Sequence, residues 1–594
     1  MEYAKATARD WADAGQDMSD DEIVACFEEA KQRPHFPPNF TMTSRGLTYS
    51  VGDDVQLLAG PFEVLAQTRD RFSQAWGILI QWRDDDGQPH QIAIARSQLA
   101  GDGREVRQAL LHGGLYVSPV AKDRNMLQTF FVTAKIDRRA RAVSRIGWQD
   151  GSFALPDRTI ETGEGDMVVY QGTAALDHEF RACGTLEGWQ DQVARLGAGN
   201  SRLAIALCVG FVGPLLAATG SEGGGLHLRG PSSIGKSTAL LAAGSIWGPP
   251  TFVRQWRATA NGLEGIAELS NDCLLILDEL AQLDPREAGN VAYLLANGTG
   301  KSRASQTGEA RPAKSWLTFF LSSGEISLAE HARSDGRGKR SPAGQEVRIL
   351  DIDADAGQGL GLFDTLHGHP NGDTLARAIK DGAAQHYGIA GPEFVRRLLG
   401  NLDDTASKAR EGIDRFAADN LPKGATGQVA RACRRLGLIA MAGEIAIDLG
   451  ILPWERGTAV AAAKTIFAGW LDARGGAGDA EDRAAIEQVA EFITMHGNSR
   501  FQHFVNDGPA VVHLRAGFKR ATVDGIIEYL IPASIWCNEV CRGLNPKSVA
   551  ALLVARGHLI PDGAGKASRT ETAPGMGKAR FYVVSQSIFG ADDA

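Results

Sequence analysis

Lys236 lies in the segment Gly230-Pro231-Ser232-Ser233-Ile234-Gly235-Lys236-Ser237, which fits the spacing G-x-x-x-x-G-K-[ST]. That spacing suits a triphosphate. Gly230 and Gly235 let the backbone turn tightly and aim N–H groups inward. Thr238 opens a helix over 238–243 whose N-terminus adds partial positive charge. Lys236 is expected to reach the β- and γ-phosphates, and the Ser237 hydroxyl to ligate Mg²⁺. Further on, Asp278 and Glu279 end the apolar run Cys273-Leu274-Leu275-Ile276-Leu277. Five apolar residues predict a central strand buried on both faces. Asp278 is then placed to hold Mg²⁺ through water, and Glu279 to polarise the attacking water. Each half alone has a blander explanation: a chance turn in a chain with 70 Gly, and a solvated strand end. Together, with a short apolar strand at 226–228 ahead of the loop, they predict an ATP-hydrolysing site where two neighbouring strands of a central sheet terminate.

The elements that must position these residues are strands expected near 225–229, 251–255, 273–277, 316–322 and 347–352. Five strands separated by helices predict a parallel three-layer α/β sheet. The strand at 316–322 follows the Asp278 strand and matches the additional-strand class of P-loop ATPases. It ends in Ser322-Ser323-Gly324-Glu325. In that class a polar residue here senses the γ-phosphate and orients water. Ser323 or Ser322 is the candidate, with a helix cap at Ser323 as the structural alternative. A Gly- and Arg-rich segment, 333–340, leads to Arg348 on a strand edge beside the site. Arg348 is the candidate arginine finger for a neighbouring subunit; pairing with Glu346 or Asp351 is the alternative.

Composition bounds the rest. A chain of 594 residues should hold three or four domains. The expected division is an N-terminal helix and linker at 1–40, an α+β module at 41–184, the P-loop core at 185–365, a helical domain at 366–496 and a winged-helix-like domain at 497–594. In the module, a hairpin is expected around Asp84-Asp85-Asp86-Gly87, with helices at 98–112 and 122–136. Helices are also expected at 186–196 and 201–218. On a helix of the helical domain, Arg431, Arg434 and Arg435 are expected as surface charges or a nucleotide-lid arginine. In the tail, Asn545 caps and Pro546 starts a helix that ends at Gly557, and Leu559-Ile560 and 580–584 form strands around a wing. Such a helix suits a DNA major groove or a protein partner. No apolar run reaches membrane-spanning length, the N-terminus lacks a signal-peptide core, and the seven cysteines form no CxxC pair. A reducing cytoplasm without structural zinc is expected. Net charge is −9, which excludes a globally basic nucleic-acid binder. Charge is uneven, however: residues 301–348 carry nine Lys/Arg against five Asp/Glu. A local basic stretch is enough for a short-ranged DNA channel.

On these residues the chain resembles the uncharacterised-domain P-loop proteins encoded by prophages, plasmids and genomic islands, often beside or fused to primase domains. The matching stretches are 143–156 around Arg145-Ile146-Gly147-Trp148, the phosphate loop, 270–280, Asn297-Gly298-Thr299-Gly300-Lys301, 321–325, 344–352, 470–476 and 580–583. The resemblance spans roughly residues 45–585. It implies an ATP- and Mg²⁺-dependent replicative helicase-like protein of mobile elements, related to superfamily-three and AAA+ ATPases, which work as hexameric rings around one DNA strand. It also implies that a loop between the Asp278 strand and the next strand lines a central pore and grips phosphates. Lys301 and Arg303 are the candidates, with Lys314 a weaker third. Serine stands at the sensor position where superfamily-three helicases typically carry asparagine. Residues 1–40 are too short for a primase site, so priming is expected from a separate protein. Two other functions remain: an ATP-gated initiator or loader that binds a duplex site without separating strands, and an AAA+ remodeller of proteins with the N-terminal module as adaptor.

Overall fold

Burial separates central from edge strands in the core sheet. A computed structural model describes residues 35–162, 166–172, 178–301, 303–304, 310–311, 313–334, 348–474, 480–504 and 512–590. The N-terminal helix, expected at 20–32, most of the Gly- and Arg-rich segment 333–340, and Glu346 lie outside these residues. The strands β1 (Gly224–Arg229), β2 (Arg254–Gln255), β3 (Leu274–Asp278), β4 (Phe319–Gly324) and β5 (Ile349–Asp353) pair in parallel in the order β2-β3-β4-β1-β5. Phe319, Phe320 and Leu321 of β4 are fully buried, as a strand covered on both faces requires. The exposed Arg254, Gln255 and Asp353 belong to the two edge strands. The expectation of neighbouring strands under the two motifs is therefore corrected. β1 and β3 never pair, because β4 is hydrogen-bonded to both. β2 is shorter than expected, since Pro249 and Pro250 divert the chain into a short 3-10 turn, Pro250–Phe252.

The helix expected at 201–218 is two helices, Ser201–Val209 and Gly213–Thr219, bent by 66°. Pro214 has no N–H to give the Gly210 carbonyl. The indole of Trp247 donates to that carbonyl instead, at 2.8 Å. Both helices are buried, and among the described residues no single helix is long and apolar enough to cross a membrane. The expected helix at 186–196 begins as α-helix, Leu186–Trp189, and continues as π and 3-10 turns to Gly197.

Ahead of the core, five strands (Glu63–Arg69, Gly77–Arg83, Pro89–Ala95, Arg139–Val143 and Met167–Tyr170) form a mixed sheet, flanked by two small antiparallel sheets. The Asp84–Gly87 turn joins Gly77–Arg83 to Pro89–Ala95. The helix expected at 98–112 starts only at Arg104, after Gly103 turns at φ 62°. Its companion spans Ala121–Thr133. Behind the core lie the helices Gly372–Gln385, Ala390–Leu398, Leu402–Asn420, Gly427–Asp448, Thr458–Ala473 and Ala480–His496. Gly443 lets Gly427–Asp448 press on its neighbours; a Cβ there would sit 2.4 Å from Cys208 Sγ and 2.6 Å from Ala459 Cβ. One hydrophobic cluster runs from Phe40 through the core to Trp470.

A separate cluster, Ala485 to Ile588, underlies the C-terminal region. Asn545 accepts from Lys547 N and Ser548 N at the start of the helix Pro546–Ala555. Leu559-Ile560 is not a strand but a single bridge to Val584. The wing is the hairpin Arg569–Ala573 with Gly577–Ser585, one edge of a five-stranded sheet that also contains Phe501–His503, Gly517–Ala521 and Ile527–Pro532. With five strands, and a buried cluster of Phe518, Leu530, Ala573, Phe581 and Val583 on it, that sheet is larger than the expected winged helix.

Candidate nucleotide site

The phosphate loop leaves β1 at Gly230 and enters the helix Lys236–Gly244. Gly230 (φ 150°), Ser233 (φ 65°) and Gly235 (φ 105°) take positive φ, which curls the backbone. Among the described residues no acceptor takes the amide hydrogens of residues 233–236. A curl of unclaimed N–H groups at a helix N-terminus is the donor set that a phosphate needs. At Gly235 a Cβ would meet Leu362 Cβ at 3.1 Å, so the position is fitted to glycine on steric grounds as well. Lys236 Nζ donates to the carbonyls of Gly230 (2.7 Å) and Pro231 (2.6 Å), bending back over the loop. Partial burial lowers its pKa, against the opposing charges of Glu325 and Asp278. Pro231 and Ser232 sit at the exposed outer turn of the loop, Ile234 is half-buried, and Thr238 is buried in the helix that follows.

Ser237 Oγ donates to Asp278 Oδ2 at 3.1 Å. A hydroxyl and a carboxylate this close, one from each motif, fit the water-mediated and direct ligands of a magnesium nucleotide. Asp278 Oδ1 also accepts from Ser323 Oγ and from the Glu279 amide. Ser323 is thus inside the constellation. It caps no helix: that task falls to Ser327, which shares a capping box with Glu330 at the start of Leu328–Arg333. Ser322 faces away. Its register partner across β1 is His227, and the His227 Nδ1 lies 2.6 Å from Ser322 Oγ. The Ile326 carbonyl, 3.1 Å from Nε2, can only accept, so Nε2 carries the proton and Ser322 donates to Nδ1. Burial lowers the His227 pKa to about 4, keeping the ring neutral. Glu279 is exposed and sits in the left-handed region (φ 60°, ψ 68°), its carboxylate held by the Gln282 amide. Gln282 and Glu325 complete the surroundings; Glu325 belongs to the Ser322–Glu325 stretch, whereas nothing in the sequence pattern singles out Gln282.

The arginine and lysine candidates sit elsewhere. Arg348 is not beside its own chain's loop. It precedes β5 at the strands' N-terminal edge, where Ile349 pairs with Gly225, roughly 17 Å of strand from Gly230. It donates to Asn297 Oδ1 at 2.7 Å and lies over the Tyr293 ring, and no pairing with Asp351 is present among the described residues. Lys301 and Lys314 flank a hairpin, Arg303–Ala304 with Ala310–Arg311, where a plain loop was expected. Arg303 is known there by its backbone. Gly300 N to Lys314 O (2.8 Å) and a Thr299–Ser315 bridge close its root. Lys314 pairs with Glu268 at 2.7 Å, which weakens it as a phosphate contact, whereas Lys301 is exposed. Arg434 pairs with Asp414 at the surface. Arg435 is neither surface charge nor lid: it is half-buried against Gly223 and Gly224 at the far edge of the sheet, its pKa lowered to about 10 by desolvation. In the C-terminal sheet, Arg569 and Arg520 are tied to Glu528 and Glu571. Lys578 and Arg580 stay exposed on the other face of the wing, paired in register with Thr572 and Thr570.

Residues 43–315 match the family described as Domain of unknown function (DUF927). Among solved structures the chain is similar to the SCCmec type IV Cch active helicase, with a TM-score of 0.66 and 19% identity, over 94% of this chain and 99% of that one. At that identity the likeness is one of fold, over nearly the whole length of both chains. No curated protein matches.

Proposed function

We propose that the chain is an ATP-dependent DNA helicase or translocase of a mobile genetic element, working in replication in the cytoplasm as an oligomeric ring, most simply a hexamer, with priming supplied by a separate protein. Its core belongs, in this reading, to the AAA+ additional-strand class of P-loop ATPases. One observation carries it: Lys236, Ser237, Asp278, Glu279 and Ser323 converge at the C-terminal edge of a parallel sheet in which β4 is inserted between the strands of the two motifs. The neighbouring structure is named a helicase of SCCmec, which supports the motor and the mobile-element setting.

In this reading the loop amides and Lys236 bind the β- and γ-phosphates, Ser237 and Asp278 hold Mg²⁺, Glu279 takes the proton of the attacking water, and Ser323 fixes Asp278. Mg²⁺ would neutralise charge on the phosphates. The hairpin at the opposite edge, with Lys301 and Arg303, grips a DNA strand, and the exposed wing residues Lys578 and Arg580 add sequence-independent phosphate contacts. The exposed residues of the helix Pro546–Ala555 include Lys547, Ser548, Ala551 and Ala555, a set poor in the Arg, Asn and Gln that read base edges. That favours a motor over a site-selective loader.

The test is ATP hydrolysis with and without single-stranded DNA. Expected are DNA-stimulated turnover, loss of nucleotide binding in Lys236→Ala, and binding without turnover in Glu279→Gln, with kcat down by about 100-fold or more. An equal rate with and without single- and double-stranded DNA overturns the motor reading. Tight, sequence-selective duplex binding without strand separation would install the loader in its place.

A further inference from the structure

The turn Arg145-Ile146-Gly147-Trp148 takes no part in the nucleotide chemistry, yet it is locked to the root of the strand that carries it. The Trp148 amide donates to Asp272 Oδ2 at 3.0 Å. Asn271 Nδ2 donates to the Ile146 carbonyl at 2.8 Å and to Asp272 Oδ2 at 2.9 Å. Asn271 and Asp272 are 1% and 5% exposed. Gly147 has φ 95°, and a Cβ on it would stand 2.2 Å from Asp272 Oδ2, so only glycine permits this approach. Asp272 itself is held at φ 54°, a costly conformation for a non-glycine residue that surrounding bonds must enforce.

The same two residues hold the next strand. Leu317 N donates to Asn271 Oδ1 at 2.8 Å, Asp272 N donates to the Leu317 carbonyl at 2.8 Å, and Thr318 Oγ1 donates to the Cys273 carbonyl at 2.8 Å. Two residues before Leu317, Ser315 forms the hairpin root with Thr299, and Arg145 Nη1 reaches Ser315 Oγ at 3.4 Å. The Trp148 indole donates to the Pro214 carbonyl, and Trp148 packs edge-on against Phe153, which stacks on Trp247 just beyond the phosphate-loop helix.

We propose that this turn is a coupling clasp, with Asp272 and Gly147 as positioning residues: it fixes the roots of β3, β4 and the 299–315 hairpin to one another, so that a DNA strand on the hairpin resets Asp278 and Glu279 at the far end of β3. The proposal rests on the motor reading of that site. A paired strand is stiff along its axis, and β4 lies between the two motifs, so displacement of its root is felt at both Ser323 and Asp278. A carboxylate is suited to the node because it accepts from both Trp148 N and Asn271 while its burial is offset by those donors.

The test uses the full chain with Gly147→Ala, Asp272→Ala and the shape-conserving Asp272→Asn. Nucleotide affinity, basal hydrolysis, affinity for single-stranded DNA and DNA stimulation are measured separately. Alongside, hydrogen–deuterium exchange over residues 272–278 is followed as DNA is added. Expected are basal hydrolysis and both affinities within about twofold of wild type. DNA stimulation should fall at least fivefold in Gly147→Ala and Asp272→Ala and recover in Asp272→Asn. DNA-induced protection of 272–278 should be present in wild type and lost in Gly147→Ala. Unchanged stimulation in the variants, loss of every activity in proportion, or no change in exchange when wild type binds DNA each overturn the clasp. If wild type hydrolyses no ATP but DNA protects 272–278 in wild type and not in Gly147→Ala, the motor reading fails while the mechanical link between hairpin and β3 stands; protection in both overturns the clasp. Absence of DNA binding by wild type overturns both.

Discussion

Ser322 and Ser323 are identical in chemistry and adjacent in sequence, yet strand alternation gives them opposite faces. One bonds buried His227 and the other Asp278. Ser323→Ala is expected to lower kcat by about tenfold with nucleotide affinity little changed, because it frees a ligand carboxylate. Ser322→Ala is expected to spare kcat and cost about 1–2 kcal/mol of stability, because it leaves a buried imidazole nitrogen unpaired. Steady-state ATPase assays and urea denaturation of the two variants separate these outcomes, and equal kinetic defects would refute the division. The grouping of Lys236, Ser237, Asp278 and Glu279 was legible in the sequence because residue type and spacing mark the two motifs that the fold brings together. Which serine meets Asp278 was not legible, because it depends on the register between β1 and β4, and that register is set by packing far along the chain. Asp272 was invisible for the same reason: its partners, at residues 146–148 and 317, are brought together only by the fold.

At the scale of elements, apolar runs located β1, β3 and β5 to within two residues, while β4 begins three residues later than expected and β2 is cut to two residues. Prolines explain most of the differences. Pro249 and Pro250 shorten β2, and Pro214 splits a helix whose free carbonyl is then taken by Trp247. The hairpin between Asn297 and Ser315 was read as a loop because its strands are two residues each and carry no alternating pattern. Its cations divide by environment. Lys301→Ala is expected to weaken single-strand affinity and to lower the slope of log affinity against log salt by about 0.7, the contribution of one phosphate contact. Lys314→Ala is expected to change that slope little, since its ammonium is engaged by Glu268. Fluorescence anisotropy across a salt series measures both, and equal slopes for the two variants would place the contact elsewhere.

At the scale of the molecule, the phosphate loop and Arg348 occupy opposite edges of one sheet. An arginine so placed serves a nucleotide only in another subunit, and a head-to-tail contact of that kind builds a ring or a filament. Arg348→Ala is therefore expected to assemble but hydrolyse slowly. Mixing it with Lys236→Ala should restore part of the activity, since some interfaces then pair an intact loop with an intact arginine. Mixtures no more active than the sum of the two would assign Arg348 to its Asn297 and Tyr293 contacts alone. Insertion of β4 has one more effect. The strands β1 and β3 that carry the two motifs stand two inter-strand spacings apart, about 9.6 Å. Backbone hydrogen bonding is thus the ruler for the reaction centre, and no side-chain replacement within the strands can rescale it. Retuning of the chemistry is left to the tips: the loop after β1, the turn after β3 and the residues that close β4.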